Sequence, residues 1–238
     1  WRSLSLANLT ARVQTYTKDV LTQFKTAGVD VDAVQIGNEI NNGMLFPYGK
    51  IDWNNMDGSF DVIADFIKAG IAGVNEVNPK IAKMIHLANG GSWDEFNVFF
   101  EHLDARNVPY DLIGASYYPY YHGTLEALAN NLNNIATKFK KPVIVAEMSY
   151  GYTVAPTANA AHTYNASMED AGKYKTSIQG QATAISDVVK ILSEVPNQLG
   201  IGIFYWEPAW LPVAGAGWAT KEGQAWINDL PVSQYNDG

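Results

Sequence analysis

Five short apolar runs, each preceded by an amphipathic stretch of helical length, constrain this chain more than anything else in it. They lie at 33–37, 81–87, 111–116, 142–146 and 200–205. Each is nearly continuous rather than alternating, the pattern of a strand buried on both faces. A helix between successive strands makes the strands parallel, because the chain must return to the same end before each one starts. The helices read from period and punctuation. Leu6, Leu9, Val13, Tyr16, Val20, Leu21 and Phe24 recur at helical spacing up to Gly28. A second helix spans 59–77 with Phe60, Ile63, Phe66, Ile67, Ile71 and Val74 on one face, and Asn78-Pro79 stops it. Ser92-Trp93-Asp94-Glu95 has the form of a capping box and opens a third. Others follow from Leu125 to Phe139 and over 176–194. Loops are expected at 40–58 and 148–172, and beyond Trp206.

Polar and aromatic clusters fall just after the strands, never before them. A (β/α) barrel, whose chemistry sits at the C-terminal ends of its strands, has this asymmetry. An open doubly wound sheet is the alternative, but the chain carries no GxGxxG or phosphate-loop pattern to go with one. Five strands do not close an eight-stranded barrel. The expectation is therefore an α/β fold, a (β/α)8 TIM barrel of which this chain supplies strands 4 to 8. Residues 1–238 then form a single, partial catalytic domain within a longer product. A small open α/β domain is the other reading.

Two of the strands end in glutamate: Ala33-Val34-Gln35-Ile36-Gly37-Asn38-Glu39 and Pro142-Val143-Ile144-Val145-Ala146-Glu147. Two carboxylates at one sheet edge carry desolvation and mutual repulsion, so they need a use. Glycosidic-bond hydrolysis is such a use, with retention when the carboxyls stand roughly 5–5.5 Å apart. Glu39, beside Asn38, suits the acid/base. Glu147 suits the nucleophile. An Asn-Glu turn and a carboxylate paired to a hidden base are the plain structural readings. Tyr117, Tyr118, Trp206 and Trp210 follow strand ends, where flat rings can stack on sugar C–H faces. Core packing is the competing reading for each. Glu207, followed by Pro208, reads as an orienting carboxylate. His86 ends a strand and reaches the cleft unless it is a satisfied core histidine. His122 sits in a loop as a candidate subsite residue.

Composition narrows the partners. A formal net charge of −8 argues against nucleic acid or an anionic membrane surface. No cysteine is present, so disulfides and thiolate metal sites are excluded. No HExxH or DxDxDG pattern occurs, so no catalytic metal is expected, and no cofactor is required. A structural calcium in 153–172 would need backbone help, since Glu169 and Asp170 are the only carboxylates there.

As a set these residues resemble glycoside hydrolase family 53, the arabinogalactan endo-β-1,4-galactanases. The resemblance is carried by Val34-Gln35-Ile36-Gly37-Asn38-Glu39-Ile40-Asn41-Asn42-Gly43-Met44-Leu45 and Ile85-His86-Leu87-Ala88-Asn89-Gly90. Gly114-Ala115-Ser116-Tyr117-Tyr118-Pro119 with His122-Gly123, Val145-Ala146-Glu147 with Ser149-Tyr150, and Phe204-Tyr205-Trp206-Glu207-Pro208-Ala209-Trp210 follow in the same order. It implies a clan A retaining barrel with Glu39 as acid/base and Glu147 as nucleophile. Asn38 would hold the sugar 2-hydroxyl, Trp206 would be the sugar platform, and Tyr117 and Tyr118 would line the cleft. The implied activity is endo-cleavage of β-1,4-galactan side chains of pectin, by a secreted, monomeric enzyme whose partner is the polysaccharide. The chain departs from the family in lacking its first three strands and its last stretch. Where some bacterial members carry calcium-binding aspartates, it reads Pro156-Thr157-Ala158-Asn159-Ala160-Ala161-His162. A related clan A mannanase or xylanase, and an inactive sugar-binding fragment, are the rival readings.

Overall fold

The computed structural model describes residues 1, 3–154 and 165–206. Helix α1 (Leu6–Thr26) leads into strand β1 (Ala33–Gln35), and a small antiparallel hairpin follows, β2 (Gly43–Met44) and β3 (Gly49–Lys50). The chain continues as α2 (Met56–Val77), β4 (Ala82–Leu87), α3 (Trp93–Ala105) and β5 (Leu112–Ser116). Then come α4 (Leu125–Lys138), β6 (Val143–Met148), α5 (Ala166–Gly172), α6 (Ile178–Ser193) and β7 (Gly200–Tyr205).

The main sheet has the order β1-β4-β5-β6-β7, all parallel. Strand order therefore follows chain order without a reversal. A doubly wound sheet reverses direction at a switch point, which sends helices to both faces. Here successive crossovers of one hand put the helices on one face and leave the other to become a barrel interior. This decides between the two architectures left open by the sequence.

The helix-facing side holds the core. Ile85, Leu87, Ile113, Ala115, Val143 and Val145 point to it and pack with Phe60, Ile63, Ile67, Phe96, Phe99, Phe100, Leu132 and Val188 from the helices. The opposite face carries Met84, His86, Gly114 and Ser116, each two residues from the next along its strand. Gly114 leaves room in this layer: a Cβ there would lie 3.0 Å from Met84 Sδ and 3.2 Å from Ala146 Cβ. Ser5, Thr124 and Ser177 cap α1, α4 and α6 by accepting from the backbone N–H three residues on.

The expected capping box at Ser92 does not form. Ser92 makes no side-chain cap bond to α3, and its own N–H donates to the Asn89 carbonyl. The Glu95 carboxylate, which would have reached back to it, accepts from the Asn41 and Asn89 amides instead. Two elements read as loop are also structured. The β2–β3 hairpin lies within 40–58, and α5 lies within 148–172, capped by Asn165. Their apolar patterns are too short to register as elements.

Gly73 is where α2 meets α1. A Cβ at this position would stand 2.4 Å from the backbone oxygen of Gln14. Glycine to alanine inside a helix ordinarily stabilises by about 1 kcal/mol. Here the two backbones would have to separate, and overpacking of this kind costs about 1–3 kcal/mol. Gly73→Ala should lower the midpoint of urea unfolding; a raised midpoint would show that the helices are not held at this distance.

Candidate active site

Glu39 leaves β1 through a strained turn. Its backbone adopts φ 48°, ψ 51°, the left-handed region, and a 3-10 turn over Ile40–Asn42 follows. A non-glycine residue there is disfavoured by about 1–2 kcal/mol. The turn is held from outside. Asn41 is buried, its Oδ1 accepts from the Ala88 N–H at 2.7 Å, and its Nδ2 donates to Glu95 Oε2 at 2.9 Å. Glu95 also takes the Asn89 amide. One carboxylate on α3 thus ties the loop after β1 to the loop after β4.

Glu147 reaches the interior face by a register shift. Ala115 pairs with Val145, but the next residue, Ser116, pairs with Glu147. Ala146 is the extra residue. Regular alternation would put Glu147 on the same side as Val143 and Val145, among the helices. The bulge turns it over and faces it with Ser116. Met148 then falls back into the core, wholly buried.

The result brings Glu39, His86 and Glu147 together, with one ligand atom from each lying within 4.8 Å of the others. A histidine and two carboxylates form a donor set of the kind that takes a divalent cation. Here each already has a hydroxyl partner. Ser116 Oγ donates to Glu39 Oε1 at 2.5 Å, and the His86 Nε2 atom lies 2.8 Å from the same Oγ. Tyr118 donates its hydroxyl to Glu147 Oε2 at 2.9 Å. Burial, then the neighbouring Glu147 charge, raises the Tyr118 phenol well above its ordinary range, so it stays a donor. His86 is 0% exposed, and burial lowers it from 6.5 to about 4, against a smaller opposing pull from Glu39. It is a neutral imidazole at ordinary pH.

The remaining residues singled out in the sequence fall in different places. Asn38 is exposed beside Glu39, with its Oδ1 accepting from Gln35 Nε2 at 2.8 Å. Trp206 stands at the end of β7, 43% exposed, its backbone N–H donating to the Met148 carbonyl. His122 turns Nδ1 toward the backbone, 3.0 Å from the Ser116 oxygen and 3.2 Å from the Tyr118 nitrogen. Its ring meets Tyr118 edge-on, so it braces the residue that holds Glu147. Tyr117 does not line the cleft. It is 1% exposed, belongs to the hydrophobic core and donates its hydroxyl to the Gly123 carbonyl. Adjacent extended residues point to opposite faces, so Tyr117 and Tyr118 cannot both face the cleft.

Glu207, Trp210 and the stretch 156–162 lie outside the described residues. Glu169, one of the two carboxylates offered for calcium, accepts from the Thr176 N–H and from Lys175, which hold it down at about 2. The sequence alone assigns Ser116, Asn41 and Glu95 no part in the site, Glu95 being read only as half of a capping box. Alternation past Gly114, and its place in the Gly114–Pro119 segment, are the signals available for Ser116. Nothing local marks the other two.

Comparison with known proteins adds to this geometry. The family model described as glycosyl hydrolase family 53 matches residues 1–237. An endo-beta-1,4-galactanase of Bacillus subtilis is 34% identical over 236 residues, 93% of this chain and 52% of that protein. An arabinogalactan endo-beta-1,4-galactanase of Humicola insolens is 34% identical over 226 residues, 91% of this chain and 63% of that protein. Among solved structures, the Ignisphaera aggregans GH53 catalytic domain superposes with a TM-score of 0.85 at 36% identity, covering 92% of this chain and 59% of that one. The chain thus spans less than two thirds of the length of these relatives. Its fold is the (β/α)8 barrel, represented by five consecutive parallel strands.

The buried imidazole gives the protein a pH dependence whose sign is fixed. His86 binds its proton near pH 4 when folded and near 6.5 when unfolded. Between these values the unfolded chain holds the extra proton, so stability rises with pH. The contribution is complete above about pH 6.5 and is lost as pH falls toward 4, about 3 kcal/mol in all. Thermal melts from pH 7 to 4 should show a decline that His86→Gln flattens. An unchanged slope in the variant would remove His86 as its source.

Proposed function

The chain belongs to glycosyl hydrolase family 53, and on that premise we propose that it carries the catalytic pair of an endo-acting β-1,4-galactanase that works with retention of configuration. The observation that carries the proposal is the meeting of Glu39 and Glu147, from two non-adjacent strands, at the C-terminal edge of the sheet within 4.8 Å. Retaining glycosidases hold their carboxyls about 5–5.5 Å apart, and inverting ones about 6.5–9.5 Å. The spacing here favours the first.

Glu39, protonated, gives its proton to the glycosidic oxygen while Glu147 attacks the anomeric carbon. A covalent glycosyl-enzyme forms. Glu39, now ionised, takes a proton from water as the water oxygen displaces Glu147. Tyr118 keeps Glu147 oriented as an ionised acceptor. Trp206, partly exposed at the neighbouring strand end, offers a flat face to a pyranose ring. Asn38, exposed beside the acid, has an amide placed to meet a sugar hydroxyl. Both glutamates come from one chain, so the pair needs no partner subunit. No helix of the described residues is long and apolar enough to cross a membrane. An enzyme that acts on polymeric galactan meets its substrate outside the cell, which supports an extracellular location.

Reducing-sugar release from linear β-1,4-galactan, beside mannan and xylan, tests the reading. Release from mannan or xylan but not galactan would overturn the substrate. Glu147→Ala should abolish turnover, and added azide should restore some of it by forming α-galactosyl azide; a β-galactosyl azide would reverse the two roles. Glu39→Gln should lose about 10²–10⁴-fold on galactan and far less on aryl galactosides with activated leaving groups. Equal losses on both would remove Glu39 as the acid.

A further inference from the structure

Ser116 is wholly buried at the end of β5, and its Oγ lies between two titratable groups, Glu39 Oε1 at 2.5 Å and His86 Nε2 at 2.8 Å. A hydroxyl carries one proton and two lone pairs, so with that proton spent within the row, as the 2.5 Å contact to Glu39 indicates, the row runs in one of two directions. In one, His86 donates from Nε2 to Ser116, and Ser116 donates to Glu39. In the other, a proton on Glu39 Oε1 is donated to Ser116, and Ser116 donates to a bare Nε2. The second direction needs the imidazole proton on Nδ1.

Nδ1 of His86 is buried and has no hydrogen-bond partner among the described residues. A buried N–H without an acceptor costs about 1–3 kcal/mol, and orphaned donors are rarer in folded proteins than under-used acceptors. Leaving Nδ1 as a bare lone pair is therefore the lesser penalty. The proton belongs on Nε2, and the row runs from His86 through Ser116 to Glu39. Doubly protonated imidazole would put two donors and a charge into a wholly buried site, which burial opposes.

We propose that Ser116 is a positioning residue that acts through Glu39: its hydroxyl, held in one direction by His86, keeps Glu39 Oε1 an acceptor and confines the exchangeable proton to Oε2. The proposal rests on the reading of Glu39 as acid/base. In the first step the Oε2 proton passes to the glycosidic oxygen as the C–O bond breaks and Glu147 bonds to the anomeric carbon. In the second, Oε2 receives a proton from water as the water oxygen displaces Glu147. Both transfers use one oxygen, and the carboxyl need not rotate between them. The left-handed backbone at Glu39 and the Asn41–Glu95 tie fix the stem of the same side chain, while Ser116 fixes its head.

Two measurements on the protein test this. In protein labelled with 15N at histidine, the His86 ring, identified by its disappearance in His86→Gln, should show the proton on Nε2. A proton on Nδ1 would overturn the one-way row, and this readout does not depend on activity. In kinetics, Ser116→Ala should lower kcat on galactan about 10- to 100-fold with little change in KM. It should lose much less on an aryl β-galactobioside with an activated leaving group, where the acid is hardly needed. Ser116→Thr, which keeps a hydroxyl, should recover part of the loss. In a Glu39→Gln background, Ser116→Ala should cost nothing more. Equal losses on both substrates, or additive losses in the double variant, would make Ser116 merely structural. Thermal melts of each variant separate a misfolded protein from a misdirected proton. If Glu39→Gln itself loses both substrates alike, the acid/base reading falls and takes the role of Ser116 with it; the tautomer would still decide the direction of the row.

Discussion

The cleft depends on one extra residue in a strand. Ala146 is the bulge that pairs Ser116 with Glu147 and so brings a carboxylate round from the helix side of the sheet to the interior. Without it, Glu147 would be buried among Val143, Val145 and the helices, where a charge is cut off from solvent. With it, Glu147 meets Tyr118, and Met148 is returned to the core, where its apolar side chain belongs. A bulge disturbs the ladder locally. The disturbance is contained because the backbone bonds resume on both sides: the Tyr117 N–H donates to the Glu147 carbonyl and the Trp206 N–H to the Met148 carbonyl.

The two glutamates are each met by a hydroxyl, from Ser116 and from Tyr118. This choice has a physical sense. A lysine or arginine in contact would lock a carboxylate as an anion, useful for a nucleophile and fatal for an acid that must hold a proton half the time. A hydroxyl orients without dictating the charge. The partners are themselves unable to titrate in the working range, since burial pushes the Tyr118 phenol up and the His86 imidazole down to about 4.

How much of this was legible in the sequence follows from the range of each interaction. The apolar runs match β7 to the residue and the other four main strands within two residues, because continuous apolar runs are local signals. Glu39, His86 and Glu147 were legible as strand-end polar residues. The face of Glu147 was not, since alternation points the wrong way and only the pairing with β5 reveals the bulge. Tyr117 departs from its expected place for the converse reason: its strand-end position suggests the cleft, while its parity with Ile113 and Ala115 puts it in the core. The Ser92 box failed because Glu95 had better partners, Asn41 and Asn89, and those come from other loops. A capping motif is read over four residues, and its competitors can come from anywhere in the chain.

The sequential order β1-β4-β5-β6 places both glutamates within one unbroken stretch of sheet, four strands wide. Their relative position is therefore set by three parallel pairings and one bulge, all internal to this chain. The margins of the sheet are different. Ile201 and Phe204 on β7 and Tyr16 and Phe24 on α1 are exposed apolar side chains. In a closed barrel such surfaces are covered by neighbouring βα units, and open edges otherwise invite association. Trp206 and Asn38 lie at these margins, on or beside the two edge strands, whereas Glu39's oxygen and Glu147 are gripped from within. The contacts that hold the two carboxyls are thus made in the middle of the sheet, by Ser116 on β5 and by Tyr118 just past its end, while the two residues at the margins are left open to solvent.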